Sequence, residues 1–123
     1  MADAVVELQE LLSLRGATGV AGVIQEMPLW VETTGYTTAV VRSEHPMLGN
    51  ATLVVEGCDV QGGAFTTLAA FTQSAAAASY LYLSVSAPYG TAERLPTLIR
   101  WRIDASLVAE WNVTFRLMLV LKA

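Results

Sequence analysis

Hydrophobic and polar residues alternate most regularly from Asn112 to Lys122. Val113, Phe115, Leu117, Leu119 and Leu121 take the odd positions; Asn112, Thr114, Arg116 and Lys122 fall between them, with Met118 and Val120. Successive side chains of a strand point to opposite faces, so this segment predicts one long strand with an unbroken apolar face and a mixed one. Five large side chains on one face need an opposing apolar wall. Leu98 to Asp104 offers part of it, with Ile99, Trp101 and Ile103 inward and Arg100, Arg102 and Asp104 outward. Tyr80 to Ser86 alternates in the same way, Leu81, Leu83 and Val85 lying opposite Tyr80 and Tyr82. Tyr36 to Ser43, Thr52 to Glu56 and Ala64 to Thr72 are rich in β-forming residues. Val20 to Glu26 and Leu29 to Thr33 hold shorter strands, the second opened by Pro28, which suits a strand start or edge.

Turn signals separate these segments. Gly16, Gly19 and Gly22 make a flexible link, Gly35 punctuates, His45-Pro46 ends a strand, and Gly49-Asn50 turns the chain into the next. Gly57 and Gly62-Gly63 bracket a short loop with Cys58, Asp59 and Gln61. Gln73 to Ser79 reads as a loop tip or one helical turn, Ala87 to Pro96 as a long surface loop, and Ala105 to Glu110 as a hairpin connection into the last strand. Seven or eight strands without intervening helices predict an all-β, single-domain antiparallel β-sandwich, jelly-roll-like, rather than a βαβ fold. Residues 4–15 are ambiguous. Val5, Leu8, Leu11 and Leu12 recur at helical spacing, while Leu11 to Leu14 also reads as extended. A short helix and an N-terminal arm or strand are equally open, so residues 1–22 are expected to form an arm or short helix with a flexible link, and 23–123 the sandwich. In either form the leucine face, Leu8, Leu11, Leu12 and Leu14, needs a partner in its own domain or in a neighbour.

Composition changes the picture at one point. The 123 residues are 15% charged and 54% hydrophobic, against roughly 25% and 45–50% in typical soluble domains. Alanine accounts for part of the excess, and an alanine-rich monomer is the plain alternative. We read the shortfall of charge as surface reserved for another protein. A net charge of −4 provides no basic field for nucleic acid. No apolar run reaches the ~18–20 residues of a membrane helix, and no secretory signal precedes the first strand. The expectation is a chain made and kept in a cytoplasm, or released from one inside a particle.

Candidate chemistry is sparse. Cys58 is the only cysteine and reads as a small buried thiol. His45 is the only histidine and, beside a proline, reads as loop surface without a nucleophile or orienting acid. The carboxylates Glu26, Glu32, Glu44, Glu56, Asp59, Glu93, Asp104 and Glu110 are scattered and match no metal loop or paired-acid pattern. Neither catalysis nor a cofactor is expected. Arg100 and Arg102 share one strand face and have two readings: a strip for carboxylates of a neighbouring subunit, or residues paired across the sheet with Glu56 or Asp104. Tyr36, Tyr80, Tyr82, Tyr89, Trp30, Trp101 and Trp111 read as core or interface anchors, the alternative being an aromatic platform for sugar.

The segment Thr52-Leu-Val-Val-Glu-Gly-Cys-Asp-Val-Gln-Gly-Gly-Ala-Phe-Thr-Thr-Leu-Ala-Ala-Phe-Thr72 resembles one that recurs in small tailed-bacteriophage virion proteins: a strand ending in an acid, a Gly/Asp loop, then an aromatic, Thr, Leu and Phe-Thr. Leu95 to Ile103 resembles their "Arg-Tyr-Leu-Arg" strand, with Thr97 where its first arginine is expected. Asn112 to Leu121 is similar to their closing strand, and Leu11-Leu-Ser-Leu14 to an early segment. The resemblance implies a jelly-roll-like head decoration or minor capsid protein, a non-enzymatic component assembled in the host cytoplasm and carried in the virion. Its expected partners are further copies of itself (a trimer among the open orders) and a major capsid protein or similar lattice, with no nucleic acid and no membrane. The interface candidates are Leu8, Leu11, Leu12, Leu14, Arg100, Arg102, Tyr80 and Tyr82. The alternative function is a carbohydrate- or receptor-binding β-sandwich module.

Overall fold

A computed structural model describes residues 3–20, 22–59, 63–72, 82–87 and 95–123. Within them the chain forms nine strands: β1 (Ala4–Gly16), β2 (Gly22–Ile24), β3 (Val31–Glu32), β4 (Thr38–Gly49), β5 (Ala51–Cys58), β6 (Thr66–Phe71), β7 (Tyr82–Ala87), β8 (Leu98–Ala105) and β9 (Trp111–Lys122). A single 3-10 turn, Met27–Leu29, carries Pro28 and separates β2 from β3. The strands make two antiparallel sheets, one in the order β1-β9-β4-β7, the other β2-β8-β5-β6 with β3 also on β8. The fold is an all-β sandwich.

Pairing follows a mirror rule. β1 pairs with β9, β2 and β3 with β8, β4 with β7, and β5 with β6. The first half of the chain therefore lies against the second half in reverse order, and most connections step from one sheet to the other. The link at 106–110 is one of these. It was expected as a hairpin connection, but β8 and β9 belong to different sheets. Asn50, at φ 57, makes the tight step from β4 to β5, a conformation asparagine tolerates better than most residues.

The core is the seam between the sheets. Every odd position from Trp111 to Leu121 is buried, and on β8 Ile99, Trp101 and Ile103 are buried opposite them. Trp101 and Phe115 meet edge to face, with ring centroids 5.0 Å apart, the arrangement that aromatic quadrupoles favour. Leu53, Val55, Leu68 and Phe71 complete the wall of the second sheet.

The N-terminal segment is neither a helix nor an arm. β1 is an edge strand of the first sheet, paired with β9 from Ala4↔Leu121 to Gly16↔Trp111, so it belongs to the sandwich rather than to a separate 1–22 unit. Val6, Leu8, Leu12 and Leu14 face the core. The register slips between Glu7 and Gln9 and again between Gln9 and Leu12. Each bulge adds one residue to the strand, so the inward positions fall at 6, 8, 12 and 14. The two bulges drop Glu10 from the inward set, and the apparent helical spacing arose because the outward Val5 and Leu11 are also apolar.

His45-Pro46 does not end β4 either. The strand continues to Gly49 through a register shift between Glu44 and Met47, and proline is accommodated at such a bulge because the ladder is already interrupted there. Gly16 lies directly beneath the Trp111 indole, where an added Cβ would collide with the ring. Of the segments read from sequence, the loops at 73–79 and 88–94 and residues Gln61, Gly62, Tyr80 and Leu81 lie outside the described residues.

Truncating Phe115 to alanine removes the ring against which Trp101 packs. Phe115→Ala is expected to lower unfolding free energy by about 3–5 kcal/mol, read as a lower urea midpoint at unchanged slope.

Candidate interaction surface

Three parts of the described surface bear on contact with another molecule. The first is the outer face of the second sheet. Cross-strand register places Glu56 beside Arg100 and Val54 beside Arg102. Glu56 is buried and holds both arginines: Arg100 Nε donates to Oε2 at 2.8 Å, and Arg102 Nε to Oε1 at 3.2 Å. Asp104 adds a longer contact to Arg102 at 3.6 Å. The Arg100 guanidinium lies 3.6 Å from the Phe65 ring centroid and 4.9 Å from that of Trp30, whose own ring meets Phe65 edge to face. A planar cation in the corner of two perpendicular rings is held by ring quadrupoles as well as by its carboxylate. The arginines are thus engaged within the sheet, the second of their two sequence readings, and do not form a free strip for a neighbour.

The second part is the flank where Gln25, just after the edge strand β2, reaches the edge strand β1. Gln25 closes it from within. Its buried Nε2 donates to the Leu8 carbonyl at 2.8 Å, its Oε1 accepts from the Trp101 backbone N–H at 3.2 Å, and its own N–H donates to the Trp101 carbonyl at 3.1 Å. Trp30 Nε1 donates to the Gln25 carbonyl at 2.8 Å, and Trp101 Nε1 donates to Gln9 Oε1 at 2.9 Å. These bonds satisfy polar atoms that burial would otherwise leave unpaired. Outside this polar seam stand Leu11, Ile24, Met27 and Leu29, all exposed. Leu29 shares a recess with Glu7 to Glu10.

The third part is one end of the sandwich, where the links after β1 and β8 touch. Gly19 N–H donates to the Leu107 carbonyl at 3.0 Å, and Trp111 Nε1 to the Val20 carbonyl at 3.0 Å. Val20, Leu107 and Val108 are exposed there, Val108 at 88%. Arg15, Asn50, Glu110 and Asn112 border a recess beside them.

The interface candidates divide accordingly. Leu8 is buried in its own core, and Leu12 and Leu14 are partly buried against it, so these side chains are turned mainly inward. Leu11 is the one member of that group left outside, at 65% exposure. Tyr82 lies on β7 across from Glu44, and Tyr80 lies outside the described residues. The aromatic platform does not form from the tryptophans: Trp101 and Trp111 are buried, and Trp30 is half-buried against Arg100.

His45 is a correction. It is fully buried between the sheets, not loop surface. Its Nδ1 is 2.7 Å from Ser43 Oγ, its ring lies 5.4 Å from that of Phe71, and Nε2 has no partner among the described residues. The signal was present in the sequence, since Ala39, Val41, Ser43 and His45 keep the period of two that points inward. Burial holds its imidazole below the ordinary 6.5, because a charged ring there would lose its hydration. Cys58 is buried at the end of β5, and burial pushes its thiol up. Among the described residues no group of three or more His, Cys, Asp or Glu side chains is placed to hold a metal ion, and no helix is long and apolar enough to cross a membrane. No family model, no curated protein and no solved structure matches the chain.

Two outcomes follow from these burials. Glu56→Gln leaves two cations without their shared carboxylate and is expected to cost about 3 kcal/mol, the order found when one partner of a buried ion pair is removed, measured by thermal or urea unfolding. For His45, folded and unfolded chains are both neutral above about pH 6.5. Below it the unfolded chain binds a proton that the folded chain does not, so stability falls as pH drops from 6.5 toward the lowered folded value. His45→Gln is expected to flatten that part of the stability–pH curve.

Proposed function

We propose that this chain is a non-enzymatic structural component of a virion, a head decoration or minor capsid protein that self-associates and stabilises a capsid lattice. The observation that carries the reading is the apolar surface left outside a completed core. Val20, Leu107 and Val108 at one end, and Leu11, Ile24, Met27 and Leu29 on one flank, are exposed although the core behind them is closed. The mirror pairing of strands supports a jelly roll, with β2 and β3 counted as one interrupted strand, an architecture used by viral capsid and lectin domains. The tailed-phage resemblance in β5, β6, β8 and β9 points the same way.

The mechanism is mechanical. Burying a large aliphatic side chain is worth about 1.5–3 kcal/mol, and association itself costs an estimated 4–15 kcal/mol. A patch of three such residues therefore holds one neighbour weakly. Many copies on a repeating shell turn weak contacts into a firm coat through effective concentration. The alternative, a carbohydrate- or receptor-binding module, has less support, because no aromatic side chain whose burial is described is exposed.

The purified protein is expected to form oligomers whose mass by size exclusion with light scattering rises with concentration. Val108→Asp is expected to shift it to monomer without changing its melting temperature by more than about 2 °C, as befits an exposed site. A monomer at every concentration, with no affinity for assembled shells, would overturn the proposal.

A further inference from the structure

The flank between β1 and β2 carries a second, more specific message. Two features decide what can sit on it. The first is its backbone. An exposed edge strand ordinarily invites another strand, but β1 is bulged on both sides of Gln9, and the Leu8 carbonyl at its centre is taken by Gln25. Strand addition is therefore blocked at mid-flank, and a contact there is made through side chains. The second feature is charge. Glu10 and Glu26 border the apolar side chains, are exposed, and form no ion pair among the described residues, while Arg102, across from Ile24, is held by Glu56. A second copy laid flank to flank would bring like charges together, and an anionic lipid surface or a nucleic acid would be repelled in the same way.

We infer that the flank formed by Leu11, Ile24, Met27 and Leu29 is the docking surface for a different protein, through a segment that presents apolar side chains flanked by lysine or arginine. The apolar residues supply contact area, and the two glutamates select a basic rim and reject the chain's own copies. The inference rests on the reading of exposed apolar surface as contact surface. It assigns the flank to the heterologous partner and leaves the Val20–Leu107–Val108 end for self-contact.

The test uses the full chain and a fluorescent peptide of alternating leucine and lysine, with a leucine–glutamate peptide as counterpart. Binding is read by anisotropy and located by hydrogen exchange. The lysine peptide is expected to bind and to protect amides within 22–29 and 4–12. Glu10→Lys and Glu26→Lys are each expected to weaken it about threefold to tenfold, and Ile24→Ser with Leu29→Ser to weaken it at least as much. Glu110→Lys, the same charge change at the opposite feature, is expected to alter it by less than about twofold. Equal binding of the glutamate peptide, equal weakening by Glu110→Lys, or protection elsewhere on the chain would each overturn the inference. The two readings fail separately. If Val108→Asp abolishes self-association while the lysine peptide leaves the flank unprotected, the flank assignment falls and the assembly reading stands. If the chain is monomeric but the peptide protects the flank, the flank assignment stands alone.

Discussion

The contact between Trp101 of β8 and Phe115 of β9 is the constraint from which the rest of the sandwich is placed. Each of these strands lies inside its own sheet, with partners on both sides. Fixing one ring against the other sets the separation of the sheets, which for packed inner faces is about 10 Å. It also creates a polar demand. The Trp101 indole N–H and backbone groups lie away from water, and Gln9 from β1 and Gln25 from the segment after β2 meet them. The hydrophobic seam thus dictates where the flank must carry amides, and those amides in turn tie β1 to the second sheet through the Leu8 carbonyl.

Strands whose burial is strictly periodic were legible in the sequence. β8 and β9 keep their alternation from end to end, so the inward set Ile99, Trp101, Ile103 and the odd residues of β9 could be read directly. Strands with bulges were not. In β1 the exposed apolar Val5 and Leu11 imitated a helical face, so the strand stood as only one of the open readings, and in β4 the proline at the bulge masked a strand that carries on past it. A bulge is decided by what lies across the ladder, and a single strand's sequence does not contain that information. The pairing of Arg100 and Arg102 with Glu56 was readable as one of two alternatives, because it depends only on cross-strand neighbours. The aromatic clamp on Arg100 was not, since Trp30 and Phe65 reach it from segments distant in sequence. Gln25 shows the same limit: nothing local marks this glutamine as the group on which a buried tryptophan depends.

The charges of the chain explain why so much of its surface is apolar. The sequence has few to begin with, and the fold spends several on itself. Glu56, Arg100, Arg102 and Asp104 form one network on the second sheet, and Glu7 pairs with Arg116 at 3.0 Å on the first. On the outer face of the first sheet a row of valines, Val5, Val120 and Val40, runs across three strands beside that pair. What composition gives as a thin coat of charge becomes thinner once internal pairing is subtracted.

Mirror pairing also imposes an order on synthesis. β1 and β4 emerge from the ribosome early, yet the strand that must lie between them, β9, comes after every other strand described. Until it arrives, β1 lacks its ladder partner and β4 has only β7 on one side. Long-range pairing of this kind folds slowly and leaves intermediates prone to aggregate. The connectivity of this chain therefore sets a window, closed only by its last strand, in which apolar faces stand uncovered.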